Sequence, residues 1–203
     1  DRVMSVDAIK NRPPARPHRA SVDIVICVHN ALCDTQSCLK SVFEYTPLPY
    51  SLILVDDGSD VETRDYLSAY AQEYGATLII NETAKGYTLA ANQGLHHSTA
   101  DYVVLLNSDT IVTESWIDHL IACAESDLKI GVVGPLSNTA SWQSIPHVET
   151  ADGDWAANPL PEGISILEMG QLVTRFSGRL YPTMPLLNGF CLLIKRAVID
   201  DIG

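Results

Sequence analysis

Short apolar runs and longer amphipathic segments alternate along residues 23–133. Each apolar run is continuous, which is typical of strands buried on both faces of a parallel sheet. The predicted strands cover residues 24–28, 51–55, 77–80, 102–106 and 130–133. Between them, apolar side chains recur every three or four residues, the spacing of a helix face. These segments predict helices with Asp34 and Asp60 as N-caps and Gly75 as an end, then helices over 89–97 and 117–124.

The order of these elements predicts one architecture. Strands joined by helices of about a dozen residues need right-handed crossovers, which make the strands parallel and put helices on both faces. The predicted fold class is therefore α/β, a Rossmann-like arrangement around a mainly parallel sheet. After Gly134 the pattern weakens, and residues 135–163 form a long loop of the kind that is functional or mobile. A helix over 164–176 and a strand over 186–194, interrupted at Asn188, are predicted to follow.

Residues 1–20 differ in composition from the rest of the chain. Five of their side chains are basic, two are acidic and three are prolines, which favours a linker or arm preceding a domain over residues 21–203. A basic arm for an anionic membrane surface is the alternative. The whole chain carries a net charge of −12, which argues against a surface that wraps nucleic acid. The first residue is Asp1, and we expect the sequence to be a piece of a longer protein.

Hydropathy and cysteine content bear on the compartment. No stretch reaches the ~20 apolar residues that cross a bilayer. The five cysteines are odd in number and contain no Cys-x-x-Cys, so neither a complete disulfide framework nor a zinc site is predicted. A reducing compartment follows as the simpler interpretation. We therefore expect a cytoplasmic protein, with peripheral association at the inner face of the membrane as its only membrane contact.

Polar side chains follow three of the predicted strands directly. The clusters are Cys27–Asn30, Asp56–Ser59 and Asn107–Asp109. In an open parallel sheet, ligands bind where the strands end, because loops and helix N-termini converge there. Successive strand residues point to opposite faces, so one of Asp56 and Asp57 is expected to face a ligand while the other braces the loop. A carboxylate there can accept the imide N–H of uracil or thymine, and one after the fourth strand can hold a cation on a diphosphate.

Each cluster alone is also a good turn or helix cap. Their position at three strand ends of one sheet is what favours a functional site. The glycine-rich phosphate loops of dinucleotide-binding and P-loop proteins are absent from the sequence, as is the Gly-x-Ser-x-Gly of serine hydrolases. The sequence therefore lacks the phosphate-binding loop that the first two classes need and the nucleophile motif that the third class needs.

Four motifs in order carry a family resemblance: Asp23–Asn30, Leu54–Ser59, Lys85–Gly94 and Tyr102–Thr110. With them the chain resembles the family 2 glycosyltransferases of GT-A fold, over about residues 21–203. Residues 188–191 and 195–203 are also similar to the family's acceptor-side strand and following helix. The resemblance implies transfer of a sugar, with inversion, from a UDP- or dTDP-sugar to the hydroxyl of a glycan or lipid-linked acceptor, using Mg²⁺ or Mn²⁺.

The resemblance also implies roles for individual residues. Asp57 bonds the nucleotide base with Asp56 close by, and Asp109 is the metal-binding carboxylate. The implied donor-binding residues are Cys27, His29, Asn30, Asp56, Asp57, Gly86, Asn92, Asn107 and Ser108. His29 stands where the family commonly has tyrosine and is expected to stack on the base or flank it. The usual Asp-x-Asp reads Asn107-Ser108-Asp109 here, a variant that leaves metal binding to Asp109.

The family's general base lies in an acidic motif that the resemblance places beyond Gly203. Among the acids in the second half of the sequence, Asp152, Asp154, Glu162 and Glu168 are the candidates for this role. No motif selects one of them, and a solvated loop is the better interpretation for all four. The catalytic residue is therefore unknown at this point, and the sequence as given is expected to be a donor-binding part of an enzyme.

Two alternatives stay open. The first is a nucleotide-sugar-binding domain that does not itself turn over. The second is a sugar nucleotidyltransferase on a similar sheet, but that class needs a glycine-rich, basic loop after the first strand to hold a triphosphate. His29-Asn30-Ala31-Leu32 offers neither glycine nor a basic chain of that kind.

Overall fold

The computed structural model describes residues 20–47 and 49–202. The predicted linker therefore lies almost wholly outside the described residues. In chain order the elements are β1 (Val22–Val28), α1 (Leu32–Tyr45), β2 (Ser51–Asp57), α2 (Val61–Tyr74), β3 (Thr77–Asn81), α3 (Tyr87–His97), β4 (Tyr102–Asn107), α4 (Trp116–Ala124), β5 (Val132–Val133), α5 (Ile166–Phe176), β6 (Cys191–Lys195) and α6 (Arg196–Ile202). Among the described helices, none combines the length and hydropathy of a membrane span.

The strands form a six-stranded sheet in the order β3-β2-β1-β4-β6-β5. Pairing is parallel among β1, β2, β3 and β4, whereas β6 is antiparallel to both β4 and β5. The predicted mainly parallel α/β sheet is confirmed. Because β6 runs against its neighbours, its first residues lie at the edge where β4 ends, and Leu106 pairs with Cys191.

Helices cover both faces of this sheet, which explains the continuous apolar strands. One core cluster includes Ile24 and Ile26 of β1 with Leu39 of α1 and Leu67 of α2. A second cluster lies on the opposite face, where Val25 of β1 packs with residues of β2, β4 and α3. Successive residues of β1 thus serve different layers, as the alternation of side chains along a strand requires.

Several element boundaries differ from those predicted. Helix α1 begins at Leu32, and Asp34 lies in its first turn instead of capping it. The N-cap is Ala31, which has a left-handed φ of 54° and no side-chain cap. Helix α3 begins two residues earlier than predicted, and β5 is only Val132–Val133. The caps of α2 are confirmed, since Asp60 accepts from the Thr63 N–H and Gly75 ends the helix with φ 70°.

We expect Gly94→Ala to destabilise the protein. Replacing an exposed glycine within a helix by alanine usually raises the free energy of unfolding by about 1 kcal/mol. Here, however, a Cβ at residue 94 would overlap the Val25 side chain, and forcing extra volume into a packed core costs ~1–3 kcal/mol. Urea unfolding measures the difference. The double variant Val25→Ala with Gly94→Ala removes the overlap and is expected to be more stable than the sum of the two single changes; strict additivity would contradict this contact.

Candidate functional site

Loops from five strands converge at one edge of the sheet. They follow β1, β2, β3 and β4 or precede β6, and cover residues 29–31, 58–60, 82–86, 107–110 and 188–190. The Asn107 N–H donates to the Phe190 carbonyl at 2.8 Å, which joins the last two. The structure thus brings together the three polar clusters that the sequence places at strand ends.

Asp56 braces the turn after β2. Its side chain is fully buried, and one carboxylate oxygen accepts from the Ser59 N–H at 2.8 Å. The other oxygen accepts from Arg64 Nε at 2.8 Å, and Arg64 also donates to the Asn81 carbonyl at 3.2 Å. This agrees with the loop-bracing role that strand alternation leaves for one of the two carboxylates.

Asp57 is the centre of a second hydrogen-bond network. Its carboxylate is 4% exposed and accepts from the Lys85 and Gly86 N–H groups, at 2.8 to 3.1 Å. Asn81 Nδ2 donates to it at 2.9 Å, and Asn81 also exchanges two amide hydrogen bonds with Gln93 of α3. The residue is almost fully buried and already accepts from these three groups, so little of the carboxylate is open to a base imide, and the base contact of Asp57 stays a prediction.

The pKa of Asp57 reflects this network. Burial alone would raise the pKa, because it disfavours the charged form. The N–H groups of Lys85 and Gly86, the Asn81 amide and the nearby His29 stabilise the carboxylate more strongly, and the pKa is lowered below its ordinary value. Asp57 therefore holds the 82–86 loop as an anion.

The loop after β1 is tied to the loop after β2. His29 Nδ1 lies 2.8 Å from the Asp57 carbonyl, and because a carbonyl only accepts, Nδ1 carries a proton. In the neutral ring Nε2 is then an acceptor, and Asn30 Nδ2 lies 3.5 Å from it. The His29 side chain is exposed at this edge. Asn30 has a left-handed φ of 58°, and its Oδ1 accepts from the Asp60 N–H at 2.8 Å.

The remaining implied donor residues occupy different positions. Cys27 is half-buried, and burial together with Asp57 raises its thiol pKa to about 12, so it is a neutral thiol and not a nucleophile near pH 7. Gly86 has a φ of 92° at the start of α3. Asn92 lies further along α3, where it lines a groove of about 730 Å³ with Ile79 and Leu89. Asp109 is not among the residues that line this groove.

The turn after β4 holds the implied metal ligand. The Thr110 N–H donates to the Asn107 carbonyl at 3.2 Å, and within this turn Asn107 and Ser108 are half-buried while Asp109 is exposed. Among the described residues there is no group of three His, Cys, Asp or Glu side chains that could hold a metal ion. One exposed carboxylate fits a Mg²⁺ or Mn²⁺ ion that takes its other ligands from substrate phosphates and water.

Sequence reasoning missed three side chains that build this edge. Asn81 is the last residue of β3 and directly follows the strand predicted over 77–80, so the rule that selected the other strand ends applies to it as well. Arg64 resembles a solvated residue of α2 in the sequence, and nothing there signals its bond to Asp56. Tyr87 is 46% exposed, but its hydroxyl is the buried part, and this burial raises the pKa to about 12, with Cys27 and Cys191 close by. In the sequence it lies within the Lys85–Gly94 motif, next to Gly86.

Comparison with known proteins gives a consistent family match. Residues 23–203 match the family described as Glycosyl transferase family 2. The uncharacterized glycosyltransferase YibD of Escherichia coli K12 is 25% identical over 130 residues, 62% of this chain and 38% of that protein. The inactive polypeptide N-acetylgalactosaminyltransferase-like protein 5 of Macaca fascicularis is 30% identical over 208 residues, 94% of this chain and 44% of that protein. The chain thus spans less than half the length of these relatives.

A solved structure confirms the fold. The mannosyltransferase PcManGT of Pyrobaculum calidifontis, in complex with GDP-Man and Mn²⁺, superposes with a TM-score of 0.65 at 15% identity. The match covers 98% of this chain and 52% of that one. At this identity the likeness shows a shared fold, and the expected GT-A architecture is confirmed by it.

The lowered pKa of Asp57 gives a pH-dependent prediction. A carboxyl whose folded pKa is depressed stabilises the protein above the ordinary aspartate pKa and loses that contribution as the pH falls through the folded pKa. Asp57→Asn should therefore lower the free energy of unfolding at neutral pH. The gap between the wild type and the variant should shrink as the pH falls below about 4. Urea unfolding across this range measures it, and a gap independent of pH would contradict the anionic role of Asp57.

Proposed function

The chain belongs to glycosyl transferase family 2, and from that premise we propose that it is the donor-binding part of an inverting, metal-dependent enzyme. The reaction moves a sugar from a UDP- or dTDP-sugar to an acceptor hydroxyl. The observation that carries the proposal is the exposed Asp109 in the turn after β4, beside loops that Asp56 and Asp57 hold in place.

We assign different parts of the donor to different residues at this edge. Asp109 would hold Mg²⁺ or Mn²⁺, which when bound offsets the charge of the diphosphate leaving group. His29 presents an exposed ring for the base, and its Nε2, which lies 3.5 Å from Asn30 Nδ2, would accept an imide N–H. Asp57 keeps residues 82–86 in place and would supply the base contact through the part of its carboxylate that these donors leave open. An N–H donated by the base is the feature that favours uracil or thymine.

The acceptor half of the reaction belongs to the same proposal. We place the general base beyond Gly203, in the acidic motif that the family resemblance implies. Within the described residues, Asp152, Asp154 and Glu162 are exposed. Glu168 differs from the expected loop acid, because its carboxylate accepts from the Ser165 N–H and hydroxyl in a capping box of α5. Its pKa is lowered by these bonds, which makes it a weak base.

The compartment is proposed on the state of the thiols. All five cysteines are free in the structure, which supports a reducing compartment. We place the reaction in the cytoplasm, with a glycan or lipid-linked acceptor at the inner face of the membrane and a role in cell-surface polysaccharide synthesis.

Binding of a nucleotide sugar without turnover is the second candidate. It is favoured by one relative, since the Macaca fascicularis protein that matches nearly the whole chain is named as inactive. No comparable observation favours a sugar nucleotidyltransferase, which needs a basic loop after the first strand to hold a triphosphate. The 29–31 loop is held by Ser59 and Asp60 and has no basic side chain other than His29.

UDP or dTDP is expected to bind in a metal-dependent way. A single carboxylate beside a diphosphate repels it unless a cation lies between them. Calorimetry with UDP, dTDP and GDP, each with Mn²⁺ or with EDTA, measures the effect. Asp109→Asn should abolish the gain from Mn²⁺ while the melting temperature stays near that of the wild type, because the side chain is exposed.

The matched control is Asp127→Asn. Asp127 is also exposed but follows α4, and an amide oxygen can still accept the Lys129 N–H that it binds now. This variant should keep the full Mn²⁺ effect. Equal affinity in Mn²⁺ and EDTA for the wild type would refute the metal assignment, and tighter binding of GDP would refute the choice of base.

The two buried carboxylates should respond differently to the same change. Asp57→Asn is expected to weaken UDP binding by about 1–3 kcal/mol, because it loses charge-assisted hydrogen bonds at the base side of the site. Asp56→Asn should lower thermal stability more than affinity, because Arg64 loses the buried carboxylate at 2.8 Å and retains only the exposed carboxylate of Glu82, at 3.8 Å, as a charged partner. Titration calorimetry and thermal melting on both variants separate the effects. A loss of affinity confined to Asp56→Asn would exchange the two roles.

A further inference from the structure

Two of the three tryptophans expose about half of their surface in the 135–163 segment. Trp142 is 46% exposed and Trp155 is 50% exposed. Their rings contact each other edge to face, with centroids 4.9 Å apart and an interplanar angle of 74°. Trp116, in contrast, is half-buried and donates its indole N–H to Thr46 at 3.0 Å. Exposing so much aromatic surface gives up burial energy, which favours a binding role.

Residues 135–163, which carry this pair, are held by hydrogen bonds of their own. Their length alone would also have allowed a mobile loop. Asn158 is buried, and its amide donates to the carbonyls of Asn138 and His147 at 2.9 Å each. The Ala156 N–H donates to Val148 at 2.9 Å, which fixes the backbone beside Trp155. The tryptophans therefore project from a built scaffold.

A buried glutamine connects this scaffold to the donor edge. Gln143, next to Trp142, is 4% exposed and donates to the Pro135 carbonyl at 2.6 Å. Its Oε1 accepts from the Asn188 N–H at 2.6 Å. Because the 188–190 turn is bonded in turn to Asn107, the scaffold that carries the aromatic pair is joined by hydrogen bonds to the turn that includes Asp109. Residues 188–191 are also the segment that resembles the family's acceptor-side strand.

Polar groups accompany the aromatic faces. Glu149 pairs with Trp155 across an antiparallel bridge, so the two side chains lie on one face and close together. Within the described part of the chain, no side chain or carbonyl accepts the indole N–H of either Trp142 or Trp155. Residues 135–163 contain four acids, Glu149, Asp152, Asp154 and Glu162, and no lysine or arginine.

We propose that Trp142, Trp155 and Glu149 form a platform for a pyranose ring of the acceptor, which makes the acceptor a glycan of neutral or amino sugars. A pyranose has an apolar face of C–H groups, which packs on the electron-rich face of an indole. The hydroxyls at the rim of the ring need hydrogen-bond acceptors and donors. The Glu149 carboxylate supplies acceptors, and the indole N–H groups of Trp142 and Trp155 supply donors. The surplus of acids disfavours uronates and other anionic sugars. The inference rests on the proposed function, whose acceptor class it specifies.

The experiment measures saccharide binding to the 203-residue chain without nucleotide or metal. Saturation-transfer NMR is run with maltotriose, cellotriose and mannotriose as neutral probes, chitosan trimer as the amino-sugar probe and trigalacturonate as the anionic one. At least one neutral or amino trisaccharide should bind, and trigalacturonate should bind about tenfold more weakly or not at all. Trp142→Ala and Trp155→Ala should each weaken the binding about tenfold.

Matched variants separate the platform from general damage. Tyr74→Ala removes an aromatic ring that is also 46% exposed but lies on α2, and should leave saccharide binding unchanged. Trp155→Phe keeps an aromatic face and should retain part of the binding even where Trp155→Ala lowers the melting temperature. UDP calorimetry on the same samples reports the donor site independently. The proposal fails if no neutral or amino trisaccharide binds, if the tryptophan variants bind like the wild type, or if trigalacturonate binds as well as the others, whatever UDP does.

Discussion

The burial of the Asp57 carboxylate is the constraint on which the loop edge depends. A charge that is almost removed from water must find hydrogen-bond donors within the protein, and here they come from residues 85 and 86 and from Asn81. Satisfying one side chain therefore fixes the loop after β3 and the start of α3. Through Asn81 and Gln93, the same network reaches the body of α3. The Asp57 carbonyl, in turn, orients His29.

The sheet was predictable because the residues of each strand indicate, by themselves, whether that strand is covered on both faces. A continuous apolar run such as residues 24–28 fits only a strand covered on both faces, and the helices between the runs impose parallel pairing. The start of α1 was not predictable in this way. Sequence rules look for a capping side chain such as Asp34, whereas the chain turns into the helix through left-handed residues at Asn30 and Ala31, whose conformation depends on bonds to Ser59 and Asp60.

The site shows the same division between local and long-range information. Strand alternation predicted that one of Asp56 and Asp57 would brace a loop, and Asp56 does so. It said nothing about the internal partners of Asp57, because Asn81 and Lys85 are more than twenty residues away in the sequence. The order given to the 135–163 segment by Gln143 and Asn158 is equally invisible, since an amide side chain carries no sign of which distant carbonyl it will bind.

The groups that the internal hydrogen-bond network does not use are the part of the edge that can bind a ligand. Asp56 and Asp57 accept hydrogen bonds from donors within the protein, so they stabilise the loops, and Arg64 offsets the charge of Asp56. Asp109, the ring of His29 and the tryptophan pair face solvent and keep their binding capacity. The donor and acceptor proposed for this edge, one anionic and one polyhydroxylated, need both kinds of group: buried charges that hold the backbone rigid, and a few exposed groups whose partners arrive with the substrate.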